Sequence, residues 1–315
     1  MRARGGRGRA LALLTSSSMH PDRPSTTAEM VCAWRALEAL LPPERRIVDD
    51  PYARGFLGPS RAALIDLVER LPGRARVALA RRVDRLLQGA MTFVMGRHRA
   101  IDDLLRQPRG WQQVVLLGTG YDSRAVRLAE PLARATVFEV DHPATARRRR
   151  ELAPRVFGGA PRATTVDVSI DFNRESLEVR LRESGFVPGR LCFWVWEGVS
   201  MYLDEAAVRA TLDLVRRLSA PGSLIACDVW CPPAGGLRQL TQRDLPALAF
   251  KLIYEEALTW GVPRAQLAAL LRDHGLALIE DVPAEELVAR YQPVSRGLLQ
   301  VGTNMVFAVG EVDRG

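Results

Sequence analysis

From Gln113 onward the chain alternates short, β-branched apolar runs with stretches of helical spacing, and this alternation constrains the fold more than any other feature. The runs are VVLL (114–117), ATVFEV (135–140), ATTVDV (163–168), LCFWVW (191–196) and SLIACDVW (223–230), with helical stretches between them. Strands that read as continuous apolar runs are buried on both faces, and helical crossovers join parallel neighbours. The pattern predicts an α/β fold with a parallel sheet covered on both sides. Two later runs, LALIEDV (276–282) and LLQVGTNMVFAV (298–309), are joined by a short helix near Glu285 to Arg290 and read as an antiparallel edge pair. No internal repeat is visible.

The first third of the chain reads as helix. Val31, Trp34, Leu37 and Leu41 fall at helical spacing, Pro51 opens a turn, and residues 61–106 are mostly helical. Residues 1–25 are biased to Gly, Arg and Ser and read as a disordered tail, with Met19 an alternative start. The apolar stub Ala10 to Leu14 is shorter than the roughly 7–15 residue core of a secretory signal. The expected organisation is a tail over 1–25, a helical cap over 26–110 and a sheet domain over 111–315. With 315 residues, 47% of them hydrophobic, the chain can build one large core with a helical annex.

Charge narrows the partners only weakly. The formal charge of +8 comes from arginine, since Lys251 is the only lysine. The densest patches, Arg74 to Arg85 and ARRRR at Ala146 to Arg150, permit nucleic-acid contact, but no aromatic ladder accompanies them, and a wet helix face is the plainer reading of ARRRR. No apolar run reaches the roughly 18–20 residues of a membrane span. Cys32, Cys192, Cys227 and Cys231 form no C-x-x-C pair and read as buried thiols, which fits a reducing cytoplasm. The four histidines are scattered, so local spacing assembles no metal cluster.

The functional signal is VVLLGTGYDSRAVRL, Val114 to Leu128, in which a strand meets two glycines and then a helix. Glycines there admit positive φ and let a ligand approach the backbone, while free N–H groups and the helix dipole favour polar or anionic atoms. Ligands of open parallel sheets sit at the carboxyl ends of the strands, so Gly118 and Gly120 are expected against a cofactor. Glu139 and Asp141 end the next strand, roughly twenty residues on, where an acid can accept from both ribose hydroxyls. That spacing suits a nicotinamide dinucleotide or S-adenosylmethionine. The third glycine of a dinucleotide fingerprint is missing, with Ser123 in its place, which favours the second. Glu139 could equally be a solvated side chain, Asp122 or Ser123 a helix cap, His142 a helix start, and Trp194 and Trp196 core residues on one strand face.

Together, TAEMVCAWRALEA, DDPYARGFL, RHRAIDD, VVLLGTGYDSRAVRL, VFEVDHP, VDV, WEGVSMYL, SAPGS and LTWGVP resemble the leucine carboxyl methyltransferase family, over roughly residues 28–311. The likeness is strongest to its bacterial branch, which includes polyketide O-methyltransferases. The resemblance implies a Rossmann-like class I methyltransferase sheet, mostly parallel with an antiparallel last strand, a helical N-terminal cap, and S-adenosylmethionine as cofactor. Carried over, Gly118 and Gly120 line the cofactor's methionine part, Asp141 the ribose, and Asp167 with the backbone of Val168 the adenine. Glu197 stands close to the cofactor, and Arg97 pairs with its carboxylate, with Arg99 a near alternative. No catalytic residue is assigned; Tyr202, after the fourth strand, is the candidate to face a substrate. A lid is expected from the helical prelude and the stretch from Arg238 to Trp260.

The function these readings imply is O-methyl transfer to a carboxylate or phenolic hydroxyl of a small acidic molecule, of polyketide type. A carboxylate is ionised at neutral pH and needs no base, whereas a phenol, with pKa about 10, gains from one. The alternatives are an NAD(P)-dependent oxidoreductase, disfavoured by the missing glycine and by the lack of a Tyr-x-x-x-Lys pair, and a non-catalytic basic relative that binds nucleic acid. Membrane association and a bound metal are not expected.

Overall fold

Each apolar run of the central region becomes a strand within a residue or two of its expected bounds. The structure, a computed structural model, describes residues 24–172, 174–232, 258–292 and 304–313. The strands are β1 (Gln113–Leu117), β2 (Thr136–Asp141), β3 (Thr164–Ser169), β4 (Cys192–Trp196), β5 (Leu224–Trp230), β6 (Leu276–Pro283) and β7 (Met305–Val312). They form one sheet in the order β3-β2-β1-β4-β5-β7-β6. The first five pair in parallel, and β7 runs antiparallel to both β5 and β6. The last two strands are thus an antiparallel pair, but β7 lies inside the sheet and β6 takes the edge. The expected start of the last strand, residues 298–303, lies outside the described residues.

Helices α1 (Thr26–Ala39), α2 (Pro59–Glu69), α3 (Gly73–Leu86) and α4 (Ala90–Arg106) precede the sheet. Ser25 caps α1, its Oγ accepting from the Ala28 N–H at 3.1 Å. Between the strands run α5 (Arg124–Arg127), α6 (Pro143–Phe157), α7 (Leu177–Glu183) and α8 (Glu205–Leu218); α9 (Arg264–Asp273) and α10 (Ala284–Tyr291) follow. The sheet is buried on both faces. Val115, Phe138, Trp194 and Ile225 pack on one side, and Val114, Val137, Phe193 and Leu224 on the other. Trp194 and Trp196 are core residues, and the indole N–H of Trp194 donates to Ser219 Oγ at 2.8 Å.

A third apolar cluster ties α1–α4 to the sheet region, with Trp34, Phe56 and Met95 packing on Tyr121, Leu152 and Phe157. Phe56 stacks on Tyr121 with centroids 5.4 Å apart, so the N-terminal helices reach the turn after β1 directly. Among the described residues no helix is long and apolar enough to cross a membrane. Cys32, Cys192 and Cys227 are buried free thiols and Cys231 is partly buried. Residues 1–23 of the expected tail, and 238–257 of the expected lid, lie outside the described residues.

Candidate active site

The strand order places the carboxyl ends of β1, β2 and β4 side by side, and the site is built there. β1 ends at Leu117, and the chain turns through Gly118 and Gly120, with φ of 72° and 54°, before α5. Gly118 must be glycine twice over: its φ is left-handed, and a Cβ would stand 2.6 Å from Val199 Cγ2. The amides of Gly118 and Thr119 both donate to Val140 O at 3.0 Å, which pins the turn to β2. Asp122 Oδ1 accepts from the Arg124 N–H at 2.6 Å just before α5, whose N-cap, Ser123, makes no side-chain capping bond. On the outer side, Arg35 Nη2 donates to Tyr121 O at 2.6 Å, and Ala28 lies 3.1 Å from where a Gly120 Cβ would be.

Asp141, at the end of β2, is buried and accepts from two backbone N–H groups, Gly120 at 2.5 Å and His142 at 2.6 Å. Burial pushes its carboxyl up to about 6, with those two N–H bonds pulling the other way. Among the described residues no side chain donates to it. His142 caps α6, its Nδ1 accepting from Ala144 N–H at 3.3 Å. On the edge strand β3, Asp167 and Val168 stand in register with Glu139 and Val140. Asp167 is exposed, with Arg150 Nε 3.0 Å from its carboxylate, and Val168 is fully buried.

Two sequence expectations change here. Glu139 is not solvated, and ARRRR is not wholly a wet face. Arg149 turns inward and pairs bidentately with Glu139 at 2.7 and 2.5 Å, while its Nη2 also donates to Asp122 O at 2.8 Å. The helical period explains this: Thr145, Arg149 and Leu152 are buried on one face of α6, while Arg147 and Arg150 remain exposed.

Glu197, on the loop after β4, is the meeting point of a buried ionic network. Its Oε1 accepts from Arg97 Nε at 3.1 Å and lies 3.3 Å from His98 Nδ1; its Oε2 accepts from Arg124 Nη1 at 2.9 Å. Burial alone would raise its carboxyl, but Arg124, Arg97 and His98 hold it well below the usual range. Arg97 Nη1 also donates to Asp228 on β5, whose other oxygen accepts from Gly198 N–H at 2.6 Å. Arg99 points away, to Asp103 at 2.8 Å and Ile47 O at 3.3 Å, and of the two arginines only Arg97 faces Glu197.

Sequence reasoning missed the rest of this network. Arg124 donates to Asp102 at 2.7 Å, to Asp122 at 2.5 Å and to Glu197. Arg127 donates to Asp102 at 2.6 Å and stands 4.0 Å from Asp50, which pairs with Arg35 at 2.8 Å. His98 is wedged between Arg124 Nη2 at 2.6 Å and Arg127 Nη2 at 2.7 Å, and burial with the Arg124 charge lowers its pKa. A neutral imidazole has one acceptor nitrogen, so only one of those two contacts is a hydrogen bond at a time. Ligand atoms of His98, Asp122 and Glu197 come within 4.8 Å of one another, the spacing of a metal site. The Arg124 guanidinium touches all three, so a cation already occupies that space.

Tyr202 lies on the short 3-10 turn Ser200–Tyr202 and is partly buried. Ser200 Oγ donates to Asp228 O at 2.7 Å, and Met201 O accepts from Thr259 N–H at 2.8 Å, which fixes the turn beside Glu197.

The chemistry of this donor set fits S-adenosylmethionine. The buried Asp141 carboxylate, with two backbone donors and a raised pKa, suits further hydroxyl donors such as a ribose diol. The connected network among the described residues holds Arg35, Arg97, Arg124 and Arg127 against Asp50, Asp102, Asp122, Glu197 and Asp228, one negative charge in excess while His98 is neutral. A sulfonium-bearing ligand meets such a field favourably. Arg97 engages Glu197 through Nε and Asp228 through Nη1, which leaves Nη2 as its remaining terminal nitrogen.

Sheet order, glycine turn and acidic strand end define a class I methyltransferase that uses S-adenosylmethionine. The sequence model of leucine carboxyl methyltransferases matches residues 28–216, and the chain belongs to that family. A Mycobacterium avium protein bearing the name of an S-adenosyl-L-methionine-dependent methyltransferase is 34% identical over 278 residues, which cover 81% of this chain and 89% of that one. A similarly named Mycobacterium tuberculosis protein is 31% identical over 283 residues, covering 84% and 87%. Among solved structures, a DUF574 family protein from Streptomyces avermitilis superposes with a TM-score of 0.55 at 16% identity, over 91% of this chain and 97% of its own.

Proposed function

We propose that this protein transfers the methyl group of S-adenosylmethionine to an oxygen of a small acidic molecule, with a carboxylate the favoured acceptor and a phenolic hydroxyl of a polyketide-type compound the other. The observation that carries the preference is the lack of an unengaged base. Among the described residues, every ionisable side chain of the network around Glu197 is held in an ion pair or wedged between guanidiniums. A carboxylate acceptor is already an anion and needs no proton removed. The family name, which specifies carboxyl methylation, supports the same choice. The polyketide assignment rests on the resemblance to the bacterial branch.

In this reading Gly118 and Gly120 let the cofactor approach the backbone, and Asp141 accepts from its ribose hydroxyls. Asp167 and the Val168 backbone border its adenine, and Glu197 and Arg97 face its methionine end. Bound there, S-adenosylmethionine supplies an activated methyl group. The protein's own part is to orient the nucleophile and exclude water, and alignment of this kind is worth roughly 7–11 kcal/mol. Tyr202, beside Glu197, orients the acceptor, and residues 26–110 cap the catalytic domain over 111–315.

The test is methyl transfer from isotopically labelled S-adenosylmethionine to a panel of aromatic carboxylic acids, phenols, amines and thiols, with mild base applied to each product. Label released as methanol identifies a carboxyl ester, and label retained identifies an ether. Labelled products only from amine or thiol acceptors would overturn the oxygen assignment.

A further inference from the structure

We propose that Arg124 is a positioning residue for cofactor binding: its guanidinium sets Glu197 and Asp122 in the arrangement that the cofactor meets. This rests on the reading that Glu197 and the glycine turn line the cofactor site.

Arg124 is almost completely buried, and every polar group it touches belongs to one of three separate segments. From α4 come Asp102, accepting from Nε at 2.7 Å, and His98, whose carbonyl lies 3.2 Å and Nδ1 2.6 Å from Nη2. From the turn after β1 comes Asp122, at 2.5 Å from Nη1. From the loop after β4 comes Glu197, at 2.9 Å from the same nitrogen. The geometry is that of a bracket. One edge is anchored on Asp102, away from the turn, and Asp102 is itself held by Arg127. The other edge presents one nitrogen to two carboxylates on the segments that border the cofactor.

Without Arg124, Asp122 and Glu197 would be two neighbouring buried carboxylates with less positive charge between them, and like charges in a dry site repel. Arg97 still holds Glu197 Oε1, but Oε2 would lose its donor. A planar guanidinium with five fixed donors can bridge four groups at once, whereas a lysine ammonium keeps the charge but cannot span them. The prediction therefore separates charge from geometry.

The experiment is calorimetric titration of S-adenosylmethionine into wild type, Asp141→Ala, Arg124→Lys, Glu197→Gln and the Arg124→Lys/Glu197→Gln double variant, with folding checked by far-UV circular dichroism. Loss of binding in Asp141→Ala establishes the site reading; unchanged binding there overturns that reading and the proposal with it. With the site established, Arg124→Lys is expected to weaken binding about tenfold or more, and its effect should largely vanish when Glu197 is already Gln. A folded Arg124→Lys that binds as wild type overturns the proposal alone. So does a loss that adds in full to that of Glu197→Gln, because a general loss of stability would not act through Glu197. Should Arg124→Lys fail to fold, Asp102→Asn keeps the guanidinium and loosens its anchor. It should weaken binding and couple to Glu197→Gln in the same way, and unchanged affinity there overturns the proposal.

Discussion

With Asp141 as the proposed ribose acceptor, its raised carboxyl predicts a cofactor affinity that depends on pH in a definite direction. Burial lifts it from 3.8 to about 6 in the ligand-free protein. A ribose diol donates two hydrogen bonds and therefore prefers the ionised carboxylate. Below the folded pKa, a proton must leave before the cofactor is held. One pKa unit corresponds to about 1.36 kcal/mol, so affinity should fall about tenfold between pH 7 and pH 5 and level off above pH 7. Folding runs the opposite way. Because the folded pKa lies above the unfolded one, the native state holds more protons between about pH 4 and 6, and this group's contribution to stability is lost as pH rises through that window. Asp141→Asn should accordingly bind the cofactor weakly at every pH without this dependence, and should be no less stable at pH 7 than at pH 5 on account of this residue. The assay is calorimetric titration at several pH values, in buffers of different ionisation enthalpy, which also counts the protons released on binding. A wild-type affinity that is flat from pH 5 to 7, or an Asp141→Asn variant with the wild-type pH profile, would refute the reasoning.

Gly118→Ala forces an alanine into φ of 72° and a Cβ against Val199 Cγ2; the left-handed backbone costs about 1–2 kcal/mol and the overpacking about 1–3 kcal/mol more. Urea denaturation should show that loss, and adding Val199→Ala should recover the packing part only. Arg149→Met leaves Glu139 buried and unpaired, at a cost of about 3–5 kcal/mol. Burial pushes the Glu139 carboxyl up to about 7 even with Arg149 pulling it down, so in the variant it takes up its proton above pH 7 and the loss should shrink as pH falls towards 7. Tyr202→Phe should leave the affinity for S-adenosylmethionine unchanged and lower kcat, by about ten- to a hundredfold if the hydroxyl orients the acceptor; an unchanged kcat removes Tyr202 from that role.

The sheet was legible because its signal is local. A run such as VVLL or LCFWVW carries its burial in its own letters, and each became a strand within a residue or two of its expected limits. The helical prelude was legible for the same reason, apolar spacing in α1 through α4. What the runs do not encode is lateral order. β7 is continuously apolar over Met305–Val309 while β6 carries Glu280 and Asp281, but neither run names its neighbours, and β7 inserts between β5 and β6 while β6 takes the edge. That choice is made by tertiary packing, with Phe307 and Val309 sharing a core with Leu224 and Ala226.

The site divided along the same line. Gly118, Gly120 and Asp141 were legible because a strand–turn–helix and the end of the next strand are local patterns, and the structure brings all three together. The charges were not. Arg97 meets Glu197 a hundred residues away and Asp228 still further along, and Arg124 meets Asp102 and Glu197 on opposite sides of it in the sequence. A charged residue read alone is most economically assigned to solvent, which is why the sequence puts Arg149 on a wet face and leaves solvent open for Glu139. The signal that could have corrected Arg149 was its phase: it shares a helical face with Thr145 and Leu152 while its neighbours do not. For Arg124 and Asp102 no local signal exists. Their burial is intelligible only once the network is whole, since each buried guanidinium costs several kcal/mol to desolvate and is recovered only by several carboxylates at once. A core of apolar residues would stabilise the fold as well or better. On the proposed reading of the site, the network is the means of fixing Glu197 and the glycine turn around a charged cofactor.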